Sequence, residues 1–98
     1  MSKDRPQAKA TQLIDDDRVR VSRFDFAPGA ETGWHVHGFD YVITAITECR
    51  MLLEDPGGTW REARIAPGEA YRRDKGIEHN VINAGPAPMS FVEVELKS

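Results

Sequence analysis

His35-Val36-His37 is the stretch whose residue types and spacing can do chemistry. In an extended chain alternate side chains share a face, so two imidazoles two residues apart can offer nitrogens to one metal ion without the backbone bending. The pair alone is a weak signal. A third histidine, His79, strengthens it from far down the chain, inside Gly76-Ile77-Glu78-His79-Asn80-Val81-Ile82-Asn83, and there is no fourth.

Such residues need a rigid frame, and the chain is long enough for one. Its 98 residues suit a single domain with one core, in which a bound metal or a dimer interface adds noticeably to stability. Apolar residues at 40% and charged residues at 30% are ordinary for a globular protein. A formal charge of −3 lacks the basic footprint of a nucleic-acid binder, so nucleic acid is set aside. The single cysteine, Cys49, excludes an internal disulfide framework and fits a reducing cytoplasm. No apolar run approaches the roughly 18 residues of a membrane span, and Met1 to Pro6 does not open a signal peptide. A cytoplasmic protein is expected.

Residues 1–17 read as an N-terminal arm, partly ordered, with Leu13 and Ile14 as its anchors and Asp15-Asp16-Asp17 as a solvated turn. The domain proper spans residues 18–98. Arg18 to Phe26 alternates as a half-buried strand, but Val19 and Val21 are odd while Phe24 and Phe26 are even, which predicts a bulge near Ser22-Arg23. Ala27-Pro28-Gly29 and Ala66-Pro67-Gly68 are matching turns ahead of the two histidine stretches. Tyr41 to Thr47, Arg50 to Leu53, Thr59 to Ile65, Tyr71 to Arg73, His79 to Asn83 and Met89 to Leu96 read as strands, with Trp60 and Ile65 as core or interface candidates. Many short strands punctuated by Pro and Gly argue for an all-β sandwich or barrel.

Over roughly residues 18 to 96 the chain resembles the cupins. Gly29, His35 and His37 match the first cupin motif, in which Gly, five residues and His-x-His are followed by a Glu and a Gly. Here the glutamate slot falls at Tyr41 or Val42, and the closing glycine is missing near Thr47-Glu48. Gly76, His79 and Asn83 match the second motif, with Asp74 where a proline usually stands. The resemblance implies a double-stranded β-helix, the cupin jelly-roll barrel of two antiparallel sheets. It also implies a homodimer pairing through edge strands and N-terminal arms.

Carried over residue by residue, the resemblance makes His35, His37 and His79 the metal ligands, with no matching carboxylate. That set is similar to the thiol dioxygenase branch, where three imidazoles hold Fe(II). Imidazole also suits Zn, Ni, Mn or Cu, so one divalent transition metal ion is expected, Fe preferred. Three neutral ligands leave the ion's full charge in the pocket and favour a small anionic or polar substrate, and an open position marks a catalytic site. The implied function is a metal-dependent, Fe(II) dioxygenase-type oxidoreductase; the alternative is a non-catalytic metal- or small-molecule-binding cupin module.

Around the triad, Tyr41 is a candidate catalytic hydrogen-bond donor or weak ligand, or a filler of the space left by the glutamate. Arg73 is a candidate anion clamp, since the guanidinium fork suits carboxylates. Asn83 either orients a ligand from behind or closes a turn. Asp40 and Glu93 are the acids whose direction decides whether a carboxylate reaches the metal. Cys49 reads as buried filler, and Trp34 as packing outside the barrel.

Overall fold

The computed structural model describes residues 5–98. Nine strands follow one another: β1 (Lys9–Asp15), β2 (Val19–Phe26), β3 (His35–Val36), β4 (Asp40–Ala45), β5 (Cys49–Glu54), β6 (Trp60–Ile65), β7 (Ala70–Arg73), β8 (Glu78–Asn83) and β9 (Met89–Leu96). They form two antiparallel sheets, five strands in the order β1-β2-β9-β4-β7 facing four in the order β3-β8-β5-β6. No helix among the described residues is long and apolar enough to cross a membrane.

Side-chain alternation makes this a closed double layer. In β4 the odd residues Tyr41, Ile43 and Ala45 are buried, and in β5 Cys49, Met51 and Leu53 face them from the other sheet. In β9 the inward residues are Met89, Phe91 and Glu93, set opposite Phe26, Phe24 and Ser22 of β2. Phe91 packs between Phe24 and Phe26, ring centroids 5.5 and 5.4 Å away. Both Ala-Pro-Gly segments are hydrogen-bonded turns: Ala30 N donates to Ala27 O, and Glu69 N to Ala66 O. Gly29 and Gly68 hold φ of 78° and 84°, which a residue with a Cβ adopts at a cost.

Several expectations from the sequence change in detail. Within the N-terminal arm, Lys9–Asp15 is an edge strand paired along β2. Its backbone hydrogen bonds hold it; Leu13 and Ile14 anchor nothing, at 53% and 49% exposure. The irregularity foreseen in β2 lies in β1 instead, where Leu13 is the extra residue between Gln12 and Ile14, while β2 runs in unbroken register with β9. Trp60, at the start of edge strand β6, is exposed, whereas Ile65 packs on the core. Asp16 does form a turn, its Oδ1 accepting from the backbone N–H of Arg18 and of Val19.

Candidate metal centre

The three histidines come together because of β3 and β8. His35 and His79 are directly opposed across this antiparallel pair, which places their side chains side by side on one face. His37 follows two residues after His35, with exposed Val36 pointing the other way. The outcome is a cluster of three Nε2 atoms, His37 Nε2 lying 3.0 Å from His35 Nε2 and 3.0 Å from His79 Nε2. The rings meet edge to face at interplanar angles of 71° to 85°, which aims lone pairs at a common point.

These atoms fit a divalent transition metal ion. His35 Nδ1 lies 2.9 Å from the carbonyl oxygen of Gly33, which can only accept, so Nδ1 carries a proton and Nε2 is the atom left to serve as a ligand. Nitrogens 3.0 Å apart can each sit about 2.1 Å from one ion at right angles. His37 and His79 are buried, at 5% and 4% exposure. Burial first, then the proximity of His35, pushes the His37 ring down to about 4, and the same causes, with His37, Arg73 and Arg61 adding, push His79 down to about 3. Both rings are therefore neutral and available as ligands at ordinary pH. His79 Nδ1 is buried with no hydrogen-bond partner, so the fold spends nothing on this ring except the direction of its Nε2.

The residues around the triad differ in where their side chains point. Tyr41 is 2% exposed and stacks on His37, centroids 3.8 Å apart at 16°. Burial, with Tyr71 nearby, pushes its phenol up to about 12, so it stays protonated and does not supply an anionic ligand. Asp40 turns away: its Oδ1 accepts from Lys75 N at 2.9 Å, and its Oδ2 lies 3.9 Å from Arg72. Glu93 turns inward, with Oε1 at 3.7 Å from His37 Nδ1, the back of the ring. Burial and Glu95 push its carboxyl up to about 7, while His37 is neutral there, so this contact is no ion pair near neutral pH.

Arg73 is half-buried opposite Tyr41 in the β4–β7 register, on the face that looks into the barrel, while Arg72 is exposed. Asn83 closes a turn: its Nδ2 donates to the carbonyls of Phe26, Ala27 and Ala87, and its Oδ1 accepts from Gly85 N. None of these partners is a histidine, and Asn83 lies four residues, about 13 Å of strand, beyond His79. Cys49 is buried filler whose thiol burial pushes up. Trp34 is 43% exposed, outside the barrel.

The space beside the rings has a volume of about 20 Å³ and is lined by the three histidines with Phe24, Tyr71 and Phe91 among others. It admits one or two small groups rather than a whole large ligand. Two features went unread in the sequence. Arg61, opposite inward-facing Leu53, lies near enough for its charge to act on His79, and Glu31 and Asn80 are buried polar groups behind His35. Parity alone places Asn80 on the outside; its partners Glu31, Gly33 and Glu54 enclose it there.

Residues 22–95 match the family model described as the cupin domain. The β-alanine degradation protein BauB of Pseudomonas aeruginosa is 50% identical over 93 residues, which is 95% of this chain and 97% of that protein. Among solved structures, a cupin domain from Bordetella pertussis is 43% identical with a TM-score of 0.92, covering 99% of this chain and 100% of its own. The polyketide cyclase RemF of Streptomyces resistomycificus is 26% identical with a TM-score of 0.70, over 97% of this chain and 70% of that one.

Proposed function

This chain belongs to the cupin domain family, and from that premise we propose that it is a metal-dependent oxidoreductase of the Fe(II) dioxygenase type, acting on a small carboxylate. The observation that carries the reading is the convergence of three imidazole Nε2 atoms with no carboxylate among them. His35, His37 and His79 would hold a divalent ion, Fe(II) in this reading, which would supply Lewis-acid and oxygen-activating chemistry to the pocket. A small anion suits that charge and the small volume of the pocket. The relative named for β-alanine degradation supports a small molecule that carries a carboxylate.

The protein's own groups have defined tasks in this reading. His35, His37 and His79 hold the ion, and Tyr41 fixes the His37 ring by stacking. Arg73 takes the substrate carboxylate at the open side of the pocket. Phe24, Phe91 and Tyr71 keep the reacting centre dry. The protein works as a cytoplasmic homodimer on this small molecule, with neither nucleic acid nor membrane as partner.

Protein purified without chelator should hold about one transition metal ion per chain, and iron should be the one that supports turnover. Oxygen uptake by iron-loaded protein, screened against small thiols, diketones and carboxylates, should appear with at least one class and vanish in His37→Ala. Arg73→Gln should raise KM for that substrate more than it lowers kcat. Metal bound without any oxygen uptake across the screen would instead support a non-catalytic binding module; no metal bound, even with Fe(II) added, would refute the three-histidine site.

A further inference from the structure

Behind His35 lies a polar relay that begins in the N-terminal segment. Arg5 Nη1 donates to Glu31 Oε1 at 3.3 Å and lies 3.8 Å from Glu54 Oε1. Asn80 Nδ2 donates to both carboxylates, 2.9 Å each. Its Nδ2 between two acceptors and its Oδ1 2.9 Å from the N–H of Gly33 leave only one orientation of the amide. Glu31 is 3% exposed and Asn80 0%, so neither can turn to water for a replacement partner.

The same segment reaches the same peptide from the other side. Gln7 Nε2 donates to Thr32 O at 2.8 Å, so the Thr32–Gly33 peptide is held at its oxygen by Gln7 and at its nitrogen by Asn80. The main chain keeps the segment in place, with Ala8 N donating to Glu31 O and Glu31 N to Pro6 O. That peptide leads into Gly33, whose φ of 87° is open to glycine and to few other residues, and whose carbonyl takes the Nδ1 proton of His35. The Gly33 carbonyl itself accepts from Thr32 Oγ1 at 2.9 Å, a hydroxyl that takes the N–H of Val81 at 3.1 Å, so holding Thr32 in place holds this carbonyl toward His35 Nδ1.

We propose that Arg5 and Gln7 are positioning residues for the metal site: through Glu31, Asn80 and the Thr32–Gly33 peptide they hold the Gly33 carbonyl against His35 Nδ1, so that Nε2 faces the other two rings. Neither residue touches the ion. Their contribution is to remove the alternative in which His35 rotates or changes tautomer. This rests on the reading of the triad as a metal site only for its consequence; the effect on His35 itself is independent of any metal.

The experiment therefore has two readouts on full-length Arg5→Gln, Arg5→Lys and Gln7→Ala. In the metal-free protein, long-range proton–nitrogen NMR of the three imidazoles should show wild-type His35 with its proton on Nδ1. Arg5→Gln and Gln7→Ala should shift His35 toward a mixture while leaving His79 unchanged, and Arg5→Lys, which keeps a cation beside Glu31, should retain the wild-type pattern. Cobalt(II) titration should then show affinity reduced about tenfold in the first two variants and restored in Arg5→Lys. An unchanged His35 signal in both Arg5→Gln and Gln7→Ala overturns the proposal. So does a uniform change of all three rings, which would mean a general loosening of the barrel. Wild-type protein that binds no cobalt refutes the metal reading, and the imidazole spectra still decide the role of the strap.

Discussion

Glu93→Gln should remove a pH dependence that the wild-type fold carries because it buries a carboxyl group. Glu93 is 8% exposed and titrates at about 7 in the folded protein, against an ordinary value of 4.5. Between those values the unfolded chain has released the proton and the folded chain still holds it. The unfolded state then binds fewer protons, so the free energy of unfolding falls as pH rises through this window. The displacement from 4.5 to about 7 corresponds to about 3 kcal/mol of stability, fully present below pH 4.5 and fully lost above pH 7. With a urea m-value of about 1–3 kcal/mol per M, the midpoint of the metal-free protein should move down by about 1 M or more from this group alone. Glutamine has the same shape and no charge, so comparing slopes rather than absolute stabilities isolates the titration from any change in hydrogen bonding. The assay is urea unfolding of chelator-treated wild type and variant from pH 4.5 to 8. Parallel stability curves would refute the assignment of a buried, protonated Glu93. Metal loading should weaken the wild-type slope, because a divalent ion beyond His37 favours the ionised carboxylate.

The neutral rings act in the opposite sense. His37 and His79 titrate at about 4 and about 3 when folded against 6.5 when unfolded, so the metal-free protein should lose stability as pH falls below 6.5, by several kcal/mol at pH 4, and a His37→Gln/His79→Gln double variant should be flatter in the same unfolding assay. Tyr41→Phe keeps the ring stacked on His37 and should keep metal affinity within about twofold, while Tyr41→Ala, which opens a cavity in the core, should cost about 3–5 kcal/mol in denaturant unfolding and weaken metal binding as well. Edge strand β1 exposes Ile14 and Leu13 beside its unpaired backbone, so if two copies pair there, Ile14→Lys should convert a dimer to a monomer in analytical ultracentrifugation without altering the far-ultraviolet spectrum.

How far the sequence could be read depended on whether a feature is local. Alternation in Asp40–Ala45 and the two Ala-Pro-Gly turns follow from neighbouring residues, and they are where the sequence places them. The inward face of Met89–Leu96 was not legible, because Phe91 stands on one parity and Val92, Val94 and Leu96 on the other. It takes the register against β2, with Phe24 opposite Phe91, to make the odd face the core and to send Glu93 inward. The strand at Lys9–Asp15 has no apolar period to announce it, since an edge strand is held by main-chain hydrogen bonds that any sequence can make. Asn80 is buried against Glu31, Thr32 and Gly33, some fifty residues earlier, and no local pattern carries that information.

The same contrast bears on the residue at the glutamate slot. The cupin motif leads one to expect a carboxylate touching the ion, and this chain has at Tyr41 a phenol that stays protonated and stacks on His37. A carboxylate is nevertheless present, delivered by β9 instead of β4, but it stands at His37 Nδ1 and not at the point where the three Nε2 atoms meet. An acid in that place can polarise the ring and tune its strength as a donor, yet it neutralises the ion less than a direct ligand would. The point where the three rings meet is thus left with imidazole nitrogens, with the charge of Arg73 near enough to act on His37 and His79. On the proposed reading, a charge imbalance of that kind would be relieved by an anionic substrate, and on that reading the missing glutamate argues for carboxylate recognition more strongly than for a site that has lost its use.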